Sequence, residues 1–498
     1  MDGRIETVKV AVIGAGVSGL KAAQTLLHNK NSKLKPEDII IVEAQDRIGG
    51  RIYTDKTSSK LGYSYDLGAS WFHDSLSNKV LDELIEENNK NDFDLSKDGY
   101  FNDKEILFYD GPQKSPLDSN TLRLNKIGGE FEIYVQQYYF NNIGAKDMSL
   151  KDMFYKYIKE RSQFLTKEQI KHVVGVVRVA ELWLGVSWEN ISAKYSVLDH
   201  NGRDLFNKKG YQLVIDKLVD QIPRSRLVLN QPVSVITRNF KGEANKPILV
   251  ESKNGLKVFC NYLIVTVPLS ILLLDNSSEQ SITWNPPLPS RIENGLKTIH
   301  FGSLGKVVFE FESTWWDMNE DRFVIFSSLF TDEDVSSPLK ELPQPFTYPC
   351  YIVNVLAMHK DSGIKGGSLM ILTQAPLTEY LESHKDQAWD YFKPMLADLL
   401  VPGKKFTDPI QTLVTLWTTN PYIRGAYGAT YPHDEPMEFI ALVAGDSPQL
   451  GFPMGEIRFA GEHTILEGAG CVHGAYESGE REALGVLEKL GFLRYEKL

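Results

Sequence analysis

Val8-Lys9-Val10-Ala11-Val12-Ile13-Gly14-Ala15-Gly16-Val17-Ser18-Gly19 is a short β-branched run that stops on Gly-x-Gly-x-x-Gly, and helix-forming residues follow through 20–27. A second apolar run, 39–42, ends on Glu43. Strand, glycine turn, helix and strand predict a βαβ unit at the start of a parallel sheet. Gly14, Ala15, Gly16, Ser18 and Gly19 are small where the chain must turn tightly and let a pyrophosphate approach the backbone. The helix that follows offers free N–H groups and a positive dipole end to that diphosphate. Glu43 lies 24 residues beyond Gly19, where an acid accepts hydrogen bonds from ribose hydroxyls. A tight turn serving only helix–strand packing would need none of this context, so the stretch reads as a dinucleotide site.

The rest of the composition sets bounds. At 498 residues the chain exceeds the size at which one hydrophobic core stops growing, so two domains are expected. It holds 54 Lys plus Arg against 65 Asp plus Glu, a formal charge of −11. That balance argues against nucleic acid as a partner and is compatible with a cationic ligand steered by long-range attraction. Cys260, Cys350 and Cys471 show no paired spacing, which predicts a reducing compartment, no disulfide framework and no metal site. The start of the chain lacks the basic-then-apolar order of a signal peptide. No apolar run reaches the roughly 18 residues of a membrane span. Glu496-Lys497-Leu498 is similar to a peroxisomal Ser-Lys-Leu tail, but an acid replaces the small residue. A cytoplasmic location is expected.

Further strands are predicted at 227–229, 233–236, 262–267 and 457–459, and at 305–311, whose Lys-Val-Val-Phe-Glu-Phe has period-two character. Residues 149–188 read as helical, and 473–490 as an amphipathic helix after a glycine-rich turn. Two polar stretches, 88–120 and 332–349, read as loops.

Beyond Glu43 and Ala44 the chain continues Asp46-Arg47-Ile48-Gly49-Gly50-Arg51. The glycines let this loop lie against a cofactor, and Arg51 can neutralise its diphosphate. Here the sequence resembles the flavin amine oxidase family, in which Glu-x-x-x-Arg-x-Gly-Gly-Arg follows the first glycine motif. The resemblance recurs at Gly68-Ala69-Ser70-Trp71-Phe72-His73-Asp74, at Leu263 to Pro268, and at Trp417-Thr418-Thr419-Asn420-Pro421-Tyr422 with Gly425-Ala426-Tyr427. It ends on Phe459-Ala460-Gly461-Glu462-His463 and Gly470-Cys471-Val472-His473-Gly474. Fungal polyamine oxidases carry the most similar pattern, and their group also contains a fungal corticosteroid-binding protein.

The resemblance implies an α/β fold of two domains. A discontinuous Rossmann-type FAD domain would take residues 1–90, 205–285 and 416–498. An α+β substrate domain would take 91–204 and 286–415. It implies non-covalent FAD, since Ala426 stands where covalent members carry cysteine. Glu462 would accept hydrogen bonds from the ribityl or diphosphate side, and the helix after Cys471 and Val472 would aim at the flavin N1–C2=O edge. Gly50, Arg51, Gly68, Ala69, Ser70, Gly461, Trp417 and Tyr422 would also line the cofactor, and the Val233 backbone would meet the adenine.

Lys306 would hold a water against flavin N5, whereas a lysine on a strand edge would merely reach solvent. His73 would face the substrate nitrogen among Trp71, His200, Tyr427 and His473. Asp204 would pair with a substrate ammonium or cap a turn. The resemblance places Tyr427 at one position of the monoamine cage and Cys471, not a second tyrosine, at the other, which would favour a slim channel. The implied activity is oxidation of the carbon beside a secondary amine of spermine or an acetylated polyamine. Hydride would pass to flavin N5 and O2 would become H2O2. The alternative is a flavoprotein of this fold that binds a steroid with little oxidase activity. A nicotinamide dehydrogenase would share only the glycine turn. A chromatin demethylase would need a basic face and a coiled-coil insertion that this sequence lacks.

Overall fold

The computed structural model describes residues 4–86, 93–111, 115–196, 202–238, 246–329, 338–444 and 456–493. His200, residues 332–337 and the tail at 496–498 lie outside them.

Five short strands rich in Val, Ile and Leu form one parallel sheet, in the order Leu227–Val228, Ile39–Val42, Val10–Ile13, Tyr262–Val265, Ile457–Phe459. Every residue of Val10–Ile13 and Ile39–Val42 is buried, as expected where both faces of a parallel sheet are covered. Helices Val17–His28, Gln212–Val219 and Val472–Lys489 pack on one face through Leu20, Ile215 and Val486. The other face meets a second five-stranded sheet, Ile5–Thr7, Lys257–Cys260, Ile248–Ser252, Val233–Arg238 and Thr283–Asn285, through Ile236, Val250 and Val258.

A six-stranded mixed sheet stands apart from these layers. Its order is Gln411–Val414, Gly305–Phe311, Gly367–Thr373, Cys350–Asn354, Arg322–Phe326, Leu107–Asp110, antiparallel except for the last pair. Helices Leu124–Asn141, Leu150–Arg161 and Lys167–Val177 form a separate apolar cluster around Phe131, Phe154 and Tyr157. Ser149 caps the second of these through the Asp152 N–H, and Thr166 with Gln169 forms a capping box on the third.

The structure adds to the sequence reading at three places. The polar 88–120 stretch contains Gly99–Phe101 and the edge strand Leu107–Asp110, because a run as short as Leu107-Phe108-Tyr109 is too brief to register as periodic. In 305–311 both faces are covered, so all seven residues are buried, Lys306 and Glu310 included. The end of the 332–349 loop turns inward, with Tyr348 buried.

The first and last helices cross at backbone contact. A Cβ on Gly479 would stand 2.1 Å from the Ser18 carbonyl oxygen. Beside it the Ser18 and Ser478 hydroxyls lie 3.4 Å apart, and Ser478 Oγ accepts the Gly461 N–H at 2.9 Å. Gly479→Ala should therefore force the helices apart and cost about 1–3 kcal/mol. A urea midpoint of the apoprotein equal to wild type would show that the contact is not tight.

Candidate functional site

One cavity of about 800 Å³ runs from the parallel sheet to the mixed sheet and helical cluster. At its sheet end the helices Val17–His28 and Val472–Lys489 begin at Gly16 and Cys471, and no side chain caps either start. Uncapped N–H groups with aligned dipoles suit negative charge. Gly14, Gly16 and Ser18 line the cavity beside the first helix; Cys471 and Val472 line it beside the last.

The turn itself leaves no room for side chains. Gly14 has φ +105°, and a Cβ there would lie 2.4 Å from Thr266 Oγ1. A Cβ on Gly19 would lie 2.0 Å from the Gly14 carbonyl oxygen, so Gly19 serves the packing under the turn and does not line the cavity. Ala15 does not line it either: its N–H donates to Glu43 Oε2 at 2.7 Å. Gln45 N–H donates to Glu43 Oε1 at 2.9 Å. The Gln45 side chain also hydrogen-bonds the carboxylate; with about four acceptor sites, Glu43 keeps capacity for one ribose hydroxyl. Burial raises its carboxyl above the ordinary value, while these N–H bonds act against the rise.

Ala44, Gly50, Arg51, Gly68, Ala69, Val233, Trp417, Tyr422, Gly461 and Glu462 extend the same wall. Arg51 Nη1 donates to Glu462 Oε1 at 2.8 Å and to the Ala426 carbonyl at 2.7 Å. Burial would raise the Glu462 carboxyl, but the Arg51 charge and hydrogen bond bring it below its usual value. The two residues thus hold each other at the wall and remain an ion pair. Glu382, which the sequence did not single out, accepts the Trp417 and Thr418 N–H groups at 2.9 and 2.6 Å and the Thr415 hydroxyl at 2.7 Å. Trp417 Nε1 donates in turn to the Leu67 carbonyl.

Lys306 is not a strand-edge lysine. Its strand is interior to the mixed sheet, and the side chain is buried at the cavity wall. Nζ donates to the Asp66 carbonyl at 2.8 Å, the Gly68 carbonyl at 2.5 Å and Ser70 Oγ at 2.5 Å. Three oxygens around one nitrogen match the three N–H donors of an ammonium. Burial pulls the Lys306 ammonium down to about 8, with the Asp66 carboxylate opposing the fall. Burial pushes the Asp66 carboxyl up to about 6, opposed by the Thr54 hydroxyl, the Lys306 charge and the Tyr211 N–H.

Further along, Trp71, His73, Asp204 and Tyr427 line the cavity. Asp204 Oδ1 lies 2.8 Å from His73 Nδ1, so the acid orients the imidazole. His473 does not line the cavity. Its Nε2 is 3.1 Å from Asp74 Oδ2, and its Nδ1 is 3.4 Å from Asn78 Nδ2, whose Oδ1 accepts the Leu81 N–H. Ligand atoms of Asp74, Cys471 and His473 come within 4.8 Å of one another. Burial, with Asp74, Asp204 and Glu462 nearby, holds the Cys471 thiol far above its ordinary value. The distal walls are Phe131, Val179, Leu182, Trp183, Leu304 and Tyr351, which no sequence motif marked.

The model for flavin-containing amine oxidoreductases matches residues 17–487. The chain belongs to this family. A corticosteroid-binding protein of Candida albicans is 49% identical over 488 residues, covering 98% of this chain and 97% of that one. A probable polyamine oxidase of Arabidopsis thaliana is 26% identical, covering 98% and 89%. A solved structure of a redesigned putrescine oxidase has TM-score 0.67 at 19% identity, covering 97% and 100%, so the fold is that of the two-domain FAD amine oxidases. The family's cofactor is FAD. The glycine turn, Glu43 and the two uncapped helix starts fit it. When bound, FAD supplies two-electron chemistry that no side chain offers.

If the Lys306 cation assists reoxidation of the reduced holoenzyme, that rate should fall as pH rises through about 8. Asp66→Asn removes the charge that favours the ammonium, so the midpoint should move down by about 1 unit or more. Stopped-flow mixing with oxygen over about pH 6–9 reads this. A lower rate with an unmoved midpoint would mean Asp66 is only structural.

Proposed function

We propose that this protein is a polyamine oxidase acting on spermine or an acetylated polyamine, with FAD held non-covalently. The observation that carries the reading is one continuous cavity. It joins the nucleotide-cradling turn to buried Lys306 and the His73–Asp204 pair, and leads on into an apolar aromatic channel.

The chain's own residues supply orientation, charge and dryness. A carboxylate oxygen only accepts, so neutral His73 carries its proton on Nδ1 toward Asp204 and presents Nε2 as the acceptor. An amine enters water as an ammonium, whose nitrogen has no lone pair to support loss of hydride from its α-carbon. His73 Nε2 takes that proton, and Asp204 stabilises the imidazolium. Trp71 and Tyr427 wall the alkyl chain, and the Tyr427 hydroxyl donates to the Trp183 carbonyl, fixing the ring. Lys306 keeps a positive charge at the wall where oxygen is reduced. Ala426, in place of a cysteine, offers FAD no thioether. Cys260, Cys350 and Cys471 stand unpaired, in keeping with a cytoplasmic setting. Among the described residues no helix is long and apolar enough to cross a membrane.

The 49% identity to a corticosteroid-binding protein favours a second reading, in which the apolar channel holds a steroid. Spermine separates the two. Anaerobic mixing with the holoprotein should bleach the flavin absorbance, and aerobic mixing should release peroxide. No bleaching with spermine, spermidine or their acetyl derivatives, together with saturable corticosterone binding, would reverse the assignment. Lys306→Met should keep FAD and slow reoxidation about 10-fold or more; an unchanged oxygen rate would remove Lys306 from the chemistry.

A further inference from the structure

A second cavity, of about 300 Å³, lies outside the one described above and shares no lining residue with it. Ser187, Glu379, Tyr380, His384, Tyr431 and Leu339 form its walls. Ser187 is 3% exposed, and its hydroxyl has no hydrogen-bond partner among the described residues. Glu379 Oε2 is buried in the same condition, although the Ser303 side chain hydrogen-bonds the carboxyl group. No Lys or Arg lines the cavity among the described residues, and the one charged neighbour acting on Glu379 is Glu382, of like sign. Burial raises the Glu379 carboxyl above its ordinary value. A sequestered carboxylate without a cation is costly, and a charged donor placed against it removes most of that cost.

The remaining walls suit the same guest. Tyr380 and His384 stack at 4.3 Å between ring centroids, and Tyr431 is held flat against His300 at 4.0 Å. Aromatic faces attract cations within about 6 Å of their centroids, and Leu339 offers an apolar surface for a short alkyl chain. We propose that this cavity is a second, non-catalytic binding site for a small organic cation with N–H donors, an alkylammonium or alkylguanidinium, held between Glu379 and Ser187. Its occupant sits behind the wall of the larger cavity. Residues 183 and 184 line the large cavity, while 186 and 187 line the small one. Between them the Gly185 carbonyl accepts the Ser303 and Ala375 N–H groups at 2.9 and 3.3 Å. Ser303 leads into the strand that carries Lys306.

n-Propylguanidinium tests the proposal, because it is permanently charged and cannot become a neutral amine for oxidation. n-Propylurea is its uncharged isostere. Calorimetric titration of the FAD-loaded protein should show the guanidinium filling a class of sites that leaves the flavin absorbance unchanged, with the urea binding about 10-fold or more weakly. Glu379→Gln should weaken the guanidinium class about 10- to 100-fold while retaining the flavin spectrum. Should that variant lose its flavin, Ser187→Ala decides, with an expected loss of about 2- to 10-fold. Equal affinity for guanidinium and urea, or guanidinium binding untouched by the variant that folds, would overturn the site and leave Glu379 a wall residue only.

Discussion

The contact between Gly479 and the Ser18 carbonyl is the constraint on which the site depends. Two helices from opposite ends of the chain can bring their uncapped starts to one cavity only if their axes approach to backbone distance. A side chain at that crossing would splay the helices and separate the two positive ends. The Ser18–Ser478–Gly461 hydrogen-bond chain ties the same crossing to the loop that carries Glu462. Cofactor geometry is therefore set by helix packing as much as by the glycine turn.

A second constraint acts at the mixed sheet. Lys306 is buried in an interior strand, and the fold supplies three oxygens and one nearby carboxylate to keep it ionised. Such a pair is weak support for stability, since desolvation offsets most of the attraction. Its value is positional: a fixed charge in a low-dielectric wall acts strongly on whatever is reduced beside it. Glu382 plays a related part for the aromatic segment. One carboxylate gathers Thr415, Trp417 and Thr418, and Thr415 Oγ1 accepts the Lys306 N–H at 2.9 Å.

Short-range patterns were legible in the sequence. Strand 10–13, its glycine turn and strand 39–42 are local, because β-branched runs and glycine spacing act within a few residues. The run 305–311 was also visible as a strand from its period-two character. Whether Lys306 and Glu310 meet water depends on what covers that face, which local sequence does not encode. The Lys306–Asp66 neighbourhood, the pairing of His73 with Asp204 and the inward turn of His473 toward Asp74 all join residues far apart in the chain. Trp183 and Tyr351 met the cavity without any signal beyond their apolar character.

The edge strand Ile457–Phe459 has a consequence for biogenesis. During synthesis the nascent chain must carry an incomplete parallel sheet, with Tyr262–Val265 exposing an unpaired edge, until residues 457–459 have left the ribosome. Non-local parallel pairing is slow, and open edges invite association. Closure of the cavity thus waits on Ile457–Phe459 and Val472–Lys489 in this topology, and the interval before it is when the chain most needs chaperone protection.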